Sequence, residues 1–106
     1  MPKYLLQASY SAEGSKGLLK DGGTKRVAAA RTLVESLGGK LDSLYFAFGD
    51  TDVVIIADLP NNTSAAGISI GVGASGAVRL STTPLLTVEE MDEACKRQVG
   101  YTPPGA

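Results

Sequence analysis

The 106-residue chain contains no histidine, no tryptophan and a single cysteine, Cys95. Without histidine, one chain cannot assemble a Ser-His-Asp triad, a His-ligated haem or the usual zinc site. One cysteine permits no internal disulfide and no Cys-x-x-Cys pair. An excess of one charge is missing too: ten Lys and Arg stand against eleven Asp and Glu, for a net charge of −1. That balance leaves no electrostatic footprint for nucleic acid and no polybasic run for a membrane surface. Nowhere do about 18 apolar residues follow one another, and Met1-Pro2-Lys3-Tyr4 opens without the apolar segment of a signal peptide. The expectation is a cytoplasmic protein with neither nucleic acid nor membrane as a partner.

What is present reads as one globular domain: 43% of the residues are hydrophobic and 20% charged. Lys3–Tyr10 alternates, with Tyr4, Leu6, Ala8 and Tyr10 on one face of a strand. Ser11–Lys20 predicts a short helical turn, broken at Asp21-Gly22-Gly23. Thr24–Leu37 predicts the clearest helix, with Thr24 as its cap and Val27, Ala30, Val34 and Leu37 at helical spacing. Gly38-Gly39 ends it. Lys40–Phe48 and Asp52–Leu59 predict an antiparallel hairpin turning at Gly49-Asp50-Thr51. In that hairpin Leu44, Phe46 and Phe48 share one face, and Leu41, Tyr45 and Ala47 the other.

A second helix is expected over Thr63–Ala74, capped by Asn61, Asn62 or Thr63. Its interior holds Gly67, Gly71 and Gly73. Each costs about 1 kcal/mol relative to alanine, so close backbone packing is expected to offset them. Ala77–Thr83 predicts a fourth strand stopped near Pro84. Thr87 and Glu90 stand at capping-box spacing ahead of a last helix reaching Gln98. The order β-α-β-β-α-β-α is that of a ferredoxin-like α+β plait, with a C-terminal helix added. A single domain is expected over residues 1–98, followed by a flexible Pro/Gly-rich tail over 99–106. Helices can cover only one sheet face, yet every strand carries apolar residues on both. Leu5, Leu41, Tyr45, Ala47, Val54 and Ile56 are left for the other face, so two copies are expected to pair sheet against sheet.

The chain resembles the GYD-domain family of small bacterial proteins from Pro2 to about Ala94. The resemblance rests on Lys3-Tyr4-Leu5-Leu6, Ser11-Ala12-Glu13-Gly14, Gly17-Leu18-Leu19, Arg26 and Leu37-Gly38-Gly39-Lys40-Leu41. It continues through Tyr45-Phe46-Ala47-Phe48-Gly49, Asp52-Val53-Val54, Asp58-Leu59-Pro60 and Ser75-Gly76-Ala77-Val78-Arg79. In the Gly-x-Tyr-Asp signature, here Gly49-Asp50-Thr51-Asp52, Thr51 replaces the tyrosine, so no role of that phenol carries over. The resemblance implies a ferredoxin-like protomer assembling as a dimeric α/β barrel or larger homo-oligomer. It implies no particular activity.

Several motifs invite a functional reading. Gly71-Val72-Gly73-Ala74-Ser75-Gly76 matches G-x-G-x-x-G, but a helix precedes it and a strand follows, the reverse of a dinucleotide site. Asn61-Asn62-Thr63 matches a glycosylation sequon, and helix capping accounts for it. Asp50 and Asp52 flank Thr51 at the hairpin and suit either acid–base work or a turn, in which Gly49 supplies positive φ and the carboxylates bond neighbouring amides. Tyr4, Tyr10 and Tyr45 are strand aromatics with a polar tip, candidates for a pocket between sheet and helices or for core and interface. Arg79 suits an ion pair with Asp52 or Asp58, the partner chain, or an anionic ligand. Lys25 and Arg26, near a helix start and against its dipole, read first as surface charge, and the mismatch slightly raises the prospect of an anion site or an intersubunit pair. Cys95 lacks a base and reads as an idle thiol.

The candidate ligand-binding set is therefore Tyr10, Tyr45, Gly49, Asp52 and Arg79, with no cofactor and no metal expected. The leading expectation is a homo-oligomeric module that binds a small organic ligand or a protein partner. The alternative is a cofactor-free enzyme of the dimeric-barrel kind, a monooxygenase or isomerase acting on a small organic molecule, with Tyr10, Tyr45, Asp52 and Arg79 as its polar groups. An enclosed pocket where two or more of these converge would favour the enzyme.

Overall fold

Four strands form one antiparallel sheet in the computed structural model, which describes residues 1–106. The elements are β1 (Lys3–Tyr10), α1 (Ala12–Ser36), β2 (Lys40–Phe46), β3 (Val53–Asp58), α2 (Asn62–Ala74), β4 (Val78–Leu85) and α3 (Val88–Cys95). The spatial order is β2-β3-β1-β4 with every neighbouring pair antiparallel, which is the ferredoxin-like plait.

The two-residue period of β1 sets the layers. Tyr4, Leu6 and Ala8 are buried, and their β3 partners Ala57, Ile55 and Val53 continue the same face. Val34 of α1 and Ala65 and Ile68 of α2 close over it. The buried Tyr4 hydroxyl is satisfied by donating to Asn62 Oδ1 at 2.6 Å, so a polar tip is accommodated at the core edge.

α1 is longer than the sequence pattern suggests. Ser11 caps it by accepting from the Gly14 N–H, and the helix runs to Ser36 with one interruption, at Gly22. Gly22 stands at φ 77°, ψ 172°, a conformation open only to glycine, so the break expected at Asp21-Gly22-Gly23 appears as a kink. The second segment thus begins at the kink, and Thr24 lies inside the helix instead of capping it. Gly38, at φ 79°, ends α1, with the Gly38 and Gly39 amides returning to the Glu35 and Val34 carbonyls.

Three other expectations change. β2 stops at Phe46, and Phe48 lies in the loop, fully exposed. A bulge between Leu41 and Ser43 inserts Asp42, so Leu41 pairs with Ala57 and joins the helix-side face, not that of Tyr45. β4 runs through Pro84 to Leu85; it is an edge strand, where the missing N–H of proline breaks no ladder on the outer side. Asn61 caps α2, accepting from the Ser64 N–H at 2.9 Å, and the Thr87–Glu90 capping box forms in both directions at 2.9 and 3.0 Å. α3 carries no buried residue. No helix is long and apolar enough to cross a membrane.

Candidate functional site

Between the sheet and its two long helices lies a cavity of about 130 Å³. Its floor is the helix-side face of the sheet, with Leu6, Leu44, Ile55 and Leu80, and its walls include Leu33 of α1 and Val72 of α2. Of its 16 lining residues 15 are hydrophobic, tyrosine included, and the other is Arg26. The cavity exists because the apolar faces of α1 and α2 reach the sheet without filling the space between them. The cavity is open on one side, and part of its carbon lining, including Leu33 and Phe46, stays in contact with solvent.

The cavity leads into a wider cleft between α1 and α2, sharing Arg26, Leu33, Ile68, Val72 and Val78 with it. Gly67 and Gly71 form part of the cleft wall. Close packing was the expectation for the α2 glycines, and it does not occur. A Cβ built at Gly67, Gly71 or Gly73 meets no atom within 4 Å. α2 instead contacts the sheet through its larger residues, with Ile68 buried and Ser69 Oγ 2.7 Å from Thr82 Oγ1. The glycines lie away from the sheet because Ala65 and Ile68, one turn apart, already fix which side of the helix faces it.

The five candidate residues do not form one site. Tyr10 is half-buried and lines the cavity. Asp52 lies beside it, and its Oδ2 accepts the Tyr10 backbone N–H at 2.8 Å. Both also border a groove outside the cavity next to the Gly22 kink, separated from it by Phe46. The Phe46 ring rests on Gly23, 3.2 Å from where a Cβ would stand. Tyr45 and Arg79 are on the opposite face of the sheet. Tyr45, 71% exposed, pairs with Val54, and Arg79 pairs with Ser9. No ion pair forms at Arg79: Asp58 lies toward the other end of β1, bound to Lys3 at 2.9 Å, and the Asp52 carboxylate accepts the Tyr10 amide at 2.8 Å.

The hairpin loop also differs from its expected form. Gly49 is exposed and its φ is not positive, so the turn does not depend on glycine there. Asp52 bonds both across the sheet and within its own hairpin: its N–H donates to the Ala8 carbonyl at 2.8 Å, and its carbonyl accepts from the Ala47 N–H at 2.7 Å. Ser9 Oγ donates to the Asp50 carbonyl at 2.8 Å. The loop is thus moored to the end of β1. The reversed glycine motif closes α2 and turns at Gly76, φ 74°, into β4, and Cys95 is exposed at the end of α3. No three acidic or cysteine side chains converge where a metal ion could sit.

Sequence reasoning singled out Arg26 by its position against the helix dipole, but not as a cavity residue. Phe46 was placed on a core face, without its role as a partition. The only signal for that role was Gly23, whose missing side chain leaves room for the ring.

Residues 4–95 match the family model described as the GYD domain. The match spans most of the chain, and the protein belongs to the GYD-domain family. No curated protein and no solved structure matches it.

Proposed function

We propose that this GYD-domain protein is a homo-oligomeric module that binds a small organic ligand in the cavity between its sheet and helices. The observation that carries the reading is the apolar cavity itself, a concave and partly open site lined by 15 hydrophobic residues of 16, of the kind a small organic molecule fills. Self-assembly has separate support. The chain exposes 7359 Å². A compact monomer of 10.9 kDa exposes about 5,600 Å². The excess exceeds the roughly 800 Å² that one partner contributes to a standard interface. Leu5, Val54 and Ile56 on the uncovered sheet face, and Val88 and Met91 on α3, are where a second copy would remove apolar surface from water. Pairing of two sheets in the manner of a dimeric α/β barrel is the arrangement we favour.

The enzyme alternative has less behind it. Of Tyr10, Tyr45, Asp52 and Arg79, only Tyr10 lines the cavity. One carboxylate oxygen of Asp52, the nearest acid, is already taken by a backbone amide.

Native mass spectrometry of protein taken directly from cells tests the reading. A dimer or larger assembly carrying a retained small molecule is the expected result. Titration with toluene, followed by the methyl resonances of Leu6, Ile55 and Leu80, tests the cavity itself. Shifts at those methyls, with Leu5 and Ile56 unmoved, are expected. A bare monomer at micromolar concentration, with no methyl shift at saturating toluene, would overturn the proposal.

A further inference from the structure

We infer that the ligand is an amphiphilic monoanion, a small aromatic or branched aliphatic carboxylate whose apolar body fills the cavity and whose carboxylate meets Arg26. The inference rests on the ligand-binding reading above and names the chemical class.

Size comes from the cavity. At about 130 Å³ it approaches the volume of engineered apolar cavities, roughly 150 Å³, that stay dry and take benzene. One ring or a branched chain of similar bulk fits within the cavity, with its polar end toward the cleft. Apolar character comes from the lining: 15 of 16 residues offer carbon surface, and Tyr10 alone among them carries a hydroxyl. A ligand with several polar groups would lose hydration there with few partners to replace it.

Charge comes from Arg26. It is half-buried and borders both the cavity and the cleft, so it marks the mouth between them. The ion pairs of this chain use Lys3, Lys16 and Arg97, and Arg26 joins none of them. Nor does it donate a hydrogen bond to any side chain or carbonyl of the chain. A guanidinium presents five donors in a fork that matches a carboxylate in two parallel bonds. Its position repels a cationic ligand and offers a neutral hydrocarbon nothing.

Access comes from α2. The open space over Gly67 and Gly71 keeps the cleft wide on the side from which a ligand reaches Arg26. Apart from the Tyr10 phenol, no acidic or nucleophilic side chain lines the cavity alongside Arg26, and the arrangement suits holding a carboxylate.

Calorimetric titration of the full chain with benzoate, toluene and benzylammonium at neutral pH tests the inference, alongside Arg26→Met and Arg26→Lys. Benzoate is expected to bind about ten- to a hundredfold more tightly than toluene, as a charge-assisted bond requires. Benzylammonium should bind more weakly than either. Arg26→Met should reduce benzoate to the affinity of toluene while leaving toluene unchanged, and Arg26→Lys should retain part of the preference. The toluene control also reports whether each variant keeps its cavity. If toluene binds the natural chain as tightly as benzoate, the anion preference is wrong and the cavity reading survives. If neither binds, both fall.

Discussion

The two faces of the sheet are built by the same four strands and end in opposite conditions. Toward the helices, Tyr4, Leu6 and Ala8 are buried, and their neighbours Ile55, Leu44 and Leu80 border a cavity. Away from them, Lys3, Leu5, Gln7 and Ser9 alternate with that set and meet Asp58, Ile56, Val54, Ser81 and Arg79 across the ladders. One face is covered but not filled, and the other is apolar in part but not covered. The two deficits call for different remedies. A partly open pocket of carbon is filled by a small molecule, whereas a broad mixed surface is covered by another surface.

The largest expected effect separates the faces by truncation. Leu6→Ala enlarges the cavity from its floor and should cost about 2–5 kcal/mol in urea unfolding at any protein concentration. Leu5→Ala, one residue away on the other face, should cost about 1 kcal/mol or less in the isolated chain. Its effect should grow with protein concentration if a second copy covers that face. A Leu5→Ala penalty as large as that of Leu6→Ala and independent of concentration would show that the open face is stabilised within one chain.

Glycines sharpen the same contrast at lower cost. Gly39 sits where the chain returns from α1 to the sheet. A Cβ there would strike the Asp58 carbonyl oxygen and approach Leu59 Cδ2 at 2.8 Å and Val34 Cγ1 at 2.9 Å. Gly39→Ala should therefore destabilise by about 1–3 kcal/mol. Gly71→Ala meets nothing and replaces a poor helix former, so it should raise stability by up to about 1 kcal/mol in thermal unfolding. Loss of stability at Gly71 would mean that the cleft wall is in contact with something in solution. Asp52→Ala comes next. It leaves the Tyr10 amide without its carboxylate and should cost about 1–3 kcal/mol, with toluene binding retained. Lost binding with unchanged stability would move Asp52 from mooring the loop to serving the ligand.

The contrast between faces was readable in the sequence to the extent that it depends on period. Alternation in β1, the glycine pairs after α1 and in its middle, and the Thr87–Glu90 box are local signals, and each names its own consequence. The element order followed from them, and the plait from the order. What escaped was set by contacts between distant segments. The bulge at Asp42 has no composition of its own, yet it sends Leu41 to the opposite face. Asp52 resembles a turn residue until β1 is laid beside it and offers the Tyr10 amide. The glycines of α2 promised a tight contact, but nearby Ala65 and Ile68 took the sheet side first. The site was harder still, because a cavity is the volume left when helices meet a sheet, and no single residue encodes it. Separation of Tyr10 and Asp52 from Tyr45 and Arg79 could be read only once the strands were in register.

The smallest expected effect lies at the end of the open face and follows from the same bulge. By inserting Asp42, the bulge places a second carboxylate 3.2 Å from Lys3 Nζ, beside Asp58 at 2.9 Å. The hydrogen bond to Asp58, then that to Asp42, raises the Lys3 pKa above its ordinary 10.5. The folded state thus holds this proton more tightly than the unfolded chain. Its contribution to stability is complete below about pH 10.5 and disappears as pH rises through the higher folded value. Thermal unfolding of the natural chain and of Lys3→Met across the alkaline range checks this. The two curves should run parallel up to about pH 10.5 and converge above it. Asp58→Asn should remove more of that convergence than Asp42→Asn, since Asp58 is the stronger cause. If a second copy seals the sheet face over this cluster, convergence should move with protein concentration, because an interface changes both the desolvation of Lys3 and the strength of its pairing. Curves that ignore concentration would place the cluster outside any interface and leave Leu5, Val54 and Ile56 as the part of the face a partner covers.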